Sequence, residues 1–206
     1  MEGTLLIGTS GYQFEDWFGT VYPPALRQRD VLEYYSRVLG FDTVEINYTY
    51  YRLPSARTSE AMVKKVPDNF KFAVRSYAGM THDIWETADK KRIRDTAQVF
   101  DEFVKGVMPL REAGKLGPIL LQFPYSFWPN RATFDYLRFC REKLINFDVV
   151  VEFRNQAWSR YSTFRLPYLC FSDLPQSEVY IDCCIQKNPL QEAQRLNYQE
   201  AKPQLQ

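Results

Sequence analysis

The chain has 206 residues, enough for one substantial hydrophobic core and too few for two large domains. We therefore expect a single domain over residues 1–206. The 26 Lys and Arg residues nearly balance the 25 Asp and Glu residues, and the net charge is +1. This balance excludes the domain-wide basic excess that nucleic-acid-binding proteins often carry, so any anion binding must be local.

The sequence shows no secretory signal and no membrane span. The N-terminus has neither a basic region nor a long apolar run, and no segment reaches the roughly 18 apolar residues that cross a bilayer. We therefore expect a cytoplasmic protein without membrane contact. The chain contains a single histidine, and its cysteines form no C-x-x-C pair, which favours reduced thiols over structural zinc. The cysteines are Cys140, Cys170, Cys183 and Cys184.

Short β-rich runs alternate with helical patterns along the chain. The predicted elements are strands at 4–8, 43–48, 70–75, 118–123 and 148–154, with helices at 30–39 and about 55–65 and further helices after the third and fourth strands. Asp83 and Glu86 resemble a capping box at the start of the third helix. Residues 167–175 and 178–184 are candidates for a sixth and a seventh strand. This alternation implies parallel strands joined by helical crossovers.

The alternation of side chains within the strands favours a barrel over an open doubly wound sheet. Successive strand residues face opposite sides, so Glu45 and Asn47 share one face of the second strand, and Glu152 and Arg154 share one face of the fifth. A sheet covered by helices on both faces does not tolerate such polar faces. The interior of a barrel does, because it opens at the C-terminal mouth where barrel enzymes keep their sites. We therefore predict an α/β fold, a TIM-type parallel barrel.

Six motifs between Thr4 and Trp158 carry a family resemblance. They read, in order, GTSGY, W-F-G-x-x-Y-P, VEINYTYYRLP, FAVRSYAGMTH, GPILLQFPYSF and VEFRNQAW. This series resembles the YecE-like family, catalogued as domain of unknown function 72. The resemblance implies a TIM-type barrel and no particular activity.

The chain departs from that family in two places. Asn155 stands where the family often has histidine. After Trp158 the expected pattern fades, so we expect residues 159–206 to be atypical, with a polar, glutamine-rich tail from about residue 186. The barrel is therefore expected to be incomplete or irregular at its C-terminal end.

Polar and charged residues collect at the C-terminal ends of the predicted strands. They are Glu45, Asn47, Arg75, Gln122, Glu152 and Arg154. We predict that the two carboxylates act as acid and base, that the two arginines clamp an anion, and that the two amides orient it. The alternative is a structural ion-pair network that fills the barrel without chemistry.

Three further residues complete the predicted site. His82 has the pKa range for proton transfer near neutrality, although it also fits a solvated loop position. Tyr12 and Trp158 follow strands and are predicted to stack on a ligand, with core packing as the alternative. We predict no metal site and no cofactor, and a weak Mg²⁺ on Glu45 or Glu152 is the alternative.

These residues support three functional hypotheses. The first is metal-independent acid/base chemistry, by a hydrolase, lyase or isomerase, on a small anionic ring compound such as a sugar phosphate or nucleotide. The second is a nucleic-acid-binding module, related to repair. The third is an inactive, truncated barrel. No feature of the sequence fixes the oligomeric state.

Overall fold

A computed structural model describes residues 5–161 and 169–170. The strands are β1 (Gly8–Ser10), β2 (Thr43–Ile46), β3 (Lys71–Arg75), β4 (Leu116–Phe123), β5 (Val149–Phe153) and β6 (Leu169–Cys170). The helices are α1 (Val31–Arg37), α2 (Tyr48–Tyr51), α3 (Ala56–Val63), α4 (Ala97–Glu112) and α5 (Arg131–Lys143), with short 3-10 turns at Glu15–Trp17, Gln28–Asp30, Ala78–Met80 and Gln156–Tyr161.

The sheet keeps the order of the sequence. Strands β1 to β5 pair in parallel, each with its neighbour along the chain, and β6 pairs antiparallel with β5. A doubly wound sheet reverses its order at a switch point, and the described strands contain no such reversal. The predicted α/β class with parallel strands is therefore confirmed. Closure into a barrel is not, because the sheet formed by the described residues is open.

One face of the sheet carries the hydrophobic core. In β3, Phe72 and Val74 are fully buried, while Arg75 on the opposite face is partly exposed. Phe103 of α4 and Leu137 of α5 belong to the same buried cluster as the β3 side chains. The helices thus cover the apolar face, and the alternation of strand residues turns the polar side chains to the other face.

Local side-chain contacts fix where helices start and how closely they pack. At the start of α5, the Asn130 side chain accepts a hydrogen bond from the Thr133 backbone N–H, and the Thr133 hydroxyl accepts one from the Asn130 backbone N–H. Gly106 lies inside α4 because a Cβ there would lie 2.2 Å from the Pro54 carbonyl oxygen. The glycine therefore lets α4 approach the segment before α3 closely.

The first strand begins further along the chain than predicted. The sequence placed it at 4–8, but Leu5 and Ile7 are 81% and 57% exposed, and β1 starts at Gly8. A Cβ at Gly8 would lie 1.9 Å from the Thr43 carbonyl oxygen, so the close approach of β1 to β2 requires glycine. The prediction was wrong because it followed hydrophobicity, whereas the close approach at Gly8 sets the pairing.

The predicted helix start at Asp83 and Glu86 is also wrong. Helix α4 begins well after this pair, and an antiparallel bridge between Trp85 and Ile93 closes the intervening loop. The Glu86 carboxylate forms an ion pair with Arg92 at 2.8 Å instead of capping a helix. Its partner is therefore across the loop, which a local pattern does not reveal.

Several expectations concern the C-terminal part of the chain. Strand β6 falls within the predicted sixth strand, but it is antiparallel to β5 rather than parallel. The predicted seventh strand at 178–184, with Cys183 and Cys184, and the polar tail from about 186 lie outside the described residues. Within the described ranges, no helix has both the length and the apolar character to cross a bilayer.

Candidate functional site

The parallel strands bring the predicted site residues to one edge of the sheet. Ser10 at the end of β1 is in register with Glu45 of β2, and Gln122 of β4 is in register with Glu152 of β5. Arg75 is the last residue of β3. Because parallel strands end at the same edge, these side chains lie along one line of strand ends. They form two hydrogen-bonded clusters.

The first cluster, here called the serine chain, consists of Ser10, Glu45 and Asn47. The Ser10 hydroxyl is 2.9 Å from Glu45 Oε1, and Asn47 Nδ2 is 2.9 Å from Ser10 Oγ. An ionised carboxylate only accepts hydrogen bonds, so Ser10 donates to Glu45 and accepts from the Asn47 amide nitrogen. Asn47 Oδ1 is consequently turned away from Ser10, and it is buried without a hydrogen-bond partner among the described residues.

A cavity of about 250 Å³ adjoins the serine chain. It is lined by Ser10, Gly11, Tyr12, Gln13, Phe14, Glu45, Ile46, Asn47 and Tyr48. Burial, with the nearby Tyr48 hydroxyl, raises the pKa of Tyr12 to about 12, so its hydroxyl is neutral at physiological pH. The volume is below the roughly 300–1,000 Å³ of pockets for drug-sized ligands, which suits a single ring.

The second cluster, here called the arginine chain, consists of Arg75, Gln122, Glu152 and Arg154. An Arg75 guanidinium nitrogen donates to Gln122 Oε1, and Gln122 Nε2 donates to Glu152 Oε2 at 2.6 Å. Glu152 Oε1 is 3.3 Å from Arg154 Nε. Both Glu152 oxygens are thus engaged, and its side chain is 6% exposed against 42% for Arg154. Glu152 therefore holds Arg154 at the solvent-facing end of the chain.

His82 lies beside the arginine chain. The Arg75 guanidinium stacks 4.2 Å above the Tyr50 ring, and Tyr50 meets the His82 ring edge-to-face at 4.9 Å. His82 Nδ1 is 2.9 Å from the Thr81 hydroxyl. Burial lowers the pKa of His82, and the positive charges of Arg75 and Arg154 lower it further, while a neighbouring aspartate opposes them in part. The imidazole is therefore neutral at pH 7.

Two residues singled out in the sequence have structural surroundings. The Trp158 side chain is fully buried, its indole N–H donates to the Phe127 carbonyl at 2.6 Å, and its ring stacks on Phe153 at 4.4 Å. A buried ring offers no face to a ligand, so we leave Trp158 out of the proposed site. Asn155 is also buried, and its amide donates to the Tyr125 carbonyl, which holds the loop after β4.

The clusters contain no thiol and no set of metal ligands. Among the described residues, no three His, Cys, Asp or Glu side chains form a group that could hold a metal ion. Cys140 is buried in α5, and burial raises the pKa of its thiol well above the usual value. Its thiol is therefore protonated and a poor nucleophile.

Ser10 is the member of the site that sequence reasoning missed. It links Glu45 to Asn47, yet the predicted first strand ended before it. The available signal was a hydroxyl residue in a Gly-rich turn after the first apolar run. Tyr50 of α2 is a second residue that the predicted site lacked, and its position between Arg75 and His82 emerges only from the structure.

Comparison with known proteins identifies relatives over most of the chain. The family model described as "Protein of unknown function DUF72" matches residues 6–196. The UPF0759 protein YunF of Bacillus subtilis is 33% identical over 156 residues, which are 75% of this chain and 52% of that protein.

Solved structures of DUF72 family proteins also match this chain. A DUF72 family protein of Thermotoga maritima has a TM-score of 0.65 at 39% identity, covering 75% of this chain and 57% of that chain. A DUF72 family protein of Enterococcus faecalis has a TM-score of 0.61 at 23% identity, covering 77% of this chain and 53% of that chain, and it shows likeness in fold. The chain spans about half the length of the relatives that it matches.

Proposed function

We propose a function for this chain, which belongs to the DUF72 family of proteins of unknown function, from its two strand-end clusters. The chain binds a small anionic ring compound and performs metal-independent acid/base chemistry on it, as a hydrolase, lyase or isomerase. The observation that carries this proposal is a carboxylate, Glu45, on the wall of a ring-sized cavity at the same strand edge as two guanidiniums. The sequence-ordered parallel strands support a TIM-type barrel, of which the described sheet is an open part.

Glu45 is the better candidate for the general base. One of its oxygens accepts a hydrogen bond from a neutral hydroxyl, and the side chain lines the cavity. Glu152 is nearly buried, and both of its oxygens are engaged by Gln122 and Arg154. A general base must reach the proton that it removes. We therefore assign the base to Glu45 and assign to Glu152 the positioning of Arg154.

Arg75 and Arg154 are the candidates for binding the anion. Each guanidinium has five N–H donors, so the hydrogen bond to Gln122 and the ion pair with Glu152 leave donors for a phosphate or carboxylate. Arg75 Nε is buried and has no hydrogen-bond partner among the described residues. Gln122 joins the two arginines through Glu152 and fixes their orientation.

His82 couples anion binding to proton transfer. The two guanidiniums help to keep its imidazole neutral in the free protein. An anion bound between them offsets their positive charge, so the pKa of His82 rises when the ligand binds. His82 then takes up a proton beside the bound ligand and serves as the acid that complements Glu45.

His82 also provides the test, because it is the only histidine in the chain. Its imidazole gives one assignable proton signal, whose pKa is measured by NMR with and without inorganic phosphate or a sugar phosphate. We expect saturating anion to raise this pKa. We expect Arg154→Gln to increase, at least tenfold, the anion concentration that produces half of this change. Gln at this position still carries an N–H donor for Glu152, and Arg131→Gln, at an exposed position of α5, is the matched control.

Two outcomes would count against the proposal. One is a His82 pKa that is insensitive to every anion, together with an unfolding temperature that no anion raises. The other is binding of short oligonucleotides alone, with a steep dependence on salt, which would favour nucleic-acid binding. Once a substrate is known, Glu45→Gln should abolish turnover and leave anion binding intact.

A further inference from the structure

We infer that the cavity beside the serine chain selects an uncharged ring that carries hydroxyl groups, so that the ligand is a sugar phosphate with its ring in the cavity and its phosphate on the arginines. This inference rests on the proposed function and extends it from an anionic ring compound to a chemical class. It is drawn from the hydrogen-bonding character, the walls and the size of the cavity.

Two residues of the serine chain that line the cavity, Glu45 and Asn47, carry hydrogen-bond acceptors. Glu45 accepts from Ser10, and a carboxylate has room for further donors. Since Ser10 donates to Glu45, its oxygen must accept from Asn47 Nδ2, which leaves Asn47 Oδ1 as the amide atom without a partner among the described residues. An amide flip would place two acceptors against each other, because the single Ser10 hydroxyl proton already goes to Glu45. A ligand that satisfies these groups must bring O–H or N–H donors.

The remaining walls suit the apolar face of a ring. Tyr12, Phe14 and Tyr48 line the cavity, and aromatic rings pack against the C–H face of a sugar while its hydroxyls point to polar groups. Tyr12 keeps its proton at physiological pH, so its hydroxyl adds no charge. An anionic group in the cavity would instead meet the Glu45 carboxylate.

The size of the cavity separates the ring from the anion. About 250 Å³ suits a single ring, and the Glu45 carboxylate on the wall disfavours an attached phosphate inside the cavity, so we place the phosphate outside it. Ile46 of β2 is in register with Val74 of β3, so Asn47 and Arg75 are the next residues at neighbouring strand ends. Arg75 therefore ends the strand next to the one that Asn47 follows, so a phosphate substituent on a ring in the cavity can extend toward its guanidinium.

The test compares a ring phosphate that carries hydroxyls and a ring oxygen with one that carries neither, and inorganic phosphate reports on the anion site alone. Binding of glucose 6-phosphate, cyclohexylmethyl phosphate and inorganic phosphate to the full chain is measured by calorimetry and by the rise in unfolding temperature. We expect glucose 6-phosphate to bind at least tenfold more tightly than cyclohexylmethyl phosphate. We expect Asn47→Ala to lower this ratio severalfold without changing the affinity for inorganic phosphate. Asn146→Ala, at an exposed turn, is the matched control.

A second variant guards against a folding defect in Asn47→Ala. Glu45→Gln keeps the shape of the side chain and replaces part of its acceptor capacity by donors, so it should also lower the ratio. If the two ring phosphates bind with equal affinity, and neither variant changes these affinities, this inference is wrong but the proposed binding of an anion by the arginines is retained. If glucosamine 6-phosphate binds more tightly than glucose 6-phosphate and this difference depends on Glu45, the inference that the cavity selects an uncharged ring is wrong. If no phosphate binds and the His82 signal does not respond, the proposed function fails as well.

Discussion

Replacing Glu152 by Leu tests whether the arginine chain is held together by one buried carboxylate. Glu152 accepts from Gln122 Nε2 at 2.6 Å and pairs with Arg154 Nε at 3.3 Å. Leucine has a similar volume and removes both acceptors. Glu152→Gln is the milder change, because its amide oxygen still accepts from Gln122 while its amide nitrogen faces the Arg154 donor.

The size of each effect follows from these contacts. A hydrogen bond to a charged group contributes about 1.5–3 kcal/mol, and the 42% exposure of Arg154 reduces this to about 1 kcal/mol for Glu152→Gln. Leucine in addition leaves the buried Gln122 amide without its acceptor, which costs about 1–3 kcal/mol. We therefore expect Glu152→Leu to lose about 3 kcal/mol in free energy of unfolding.

Urea unfolding of the full chain, followed by tryptophan fluorescence, measures the free energy, and thermal unfolding measures the accompanying change in unfolding temperature. At roughly 2–4 °C per kcal/mol for a chain of this length, Glu152→Leu should unfold about 6–12 °C below the unmodified protein. Glu142→Gln, at an exposed position of α5, is the control and should change the free energy by less than about 0.5 kcal/mol. Equal stability of the Leu and Gln variants at position 152 would refute the reasoning, because the Gln122 contact would then contribute nothing.

Three further predictions concern packing, buried charge and pH. Gly106→Ala should destabilise the fold by about 1–3 kcal/mol in urea unfolding, because its Cβ would overlap the Pro54 carbonyl, and an unchanged midpoint would argue against that contact. Lys115→Met should lose about 1–3 kcal/mol in the same assay, since the buried ammonium donates to the carbonyls of Val63, at the end of α3, and Val66, and a more stable variant would contradict this role. The pKa of His82 is lowered in the fold, so the unfolded chain binds the proton more readily, and stability should fall as pH drops below about 6.5. His82→Gln should remove that part of the pH dependence, and a histidine NMR signal that titrates above pH 6.5 would show the sign to be wrong.

The sequence predicted the parallel strands well because their physical signal is local. The runs around Val44, Leu121 and Val151 are apolar on the face that meets the helices, and the polar residues alternate with them. Register then follows from parallel pairing, which is why Gln122 and Glu152 could be expected at one edge before the structure was known. Periodicity likewise predicted that the charged side chains of these strands share one face, and their role in binding stays a prediction.

The parts that failed depend on contacts between distant segments. Leu5 and Ile7 look like a strand, but the close approach of Gly8 to Thr43 sets the pairing later in the chain. Trp158 follows a strand as a ligand-stacking residue would, but it is buried against side chains and backbone from other loops. Periodicity reports which face a strand residue occupies, and it carries no such information for residues in loops.

The Ser10 hydroxyl gives the serine chain a direction that a proton on Glu45 would reverse. With the carboxylate ionised, the hydrogen bonds run from Asn47 through Ser10 to Glu45. With the carboxyl group protonated, Glu45 donates to Ser10, Ser10 donates onward, and the Asn47 amide turns to accept, so that its nitrogen replaces its oxygen as the outer atom. If Glu45 takes a hydroxyl proton from the ligand, as we propose, the same wall would then offer a donor to the newly formed oxyanion.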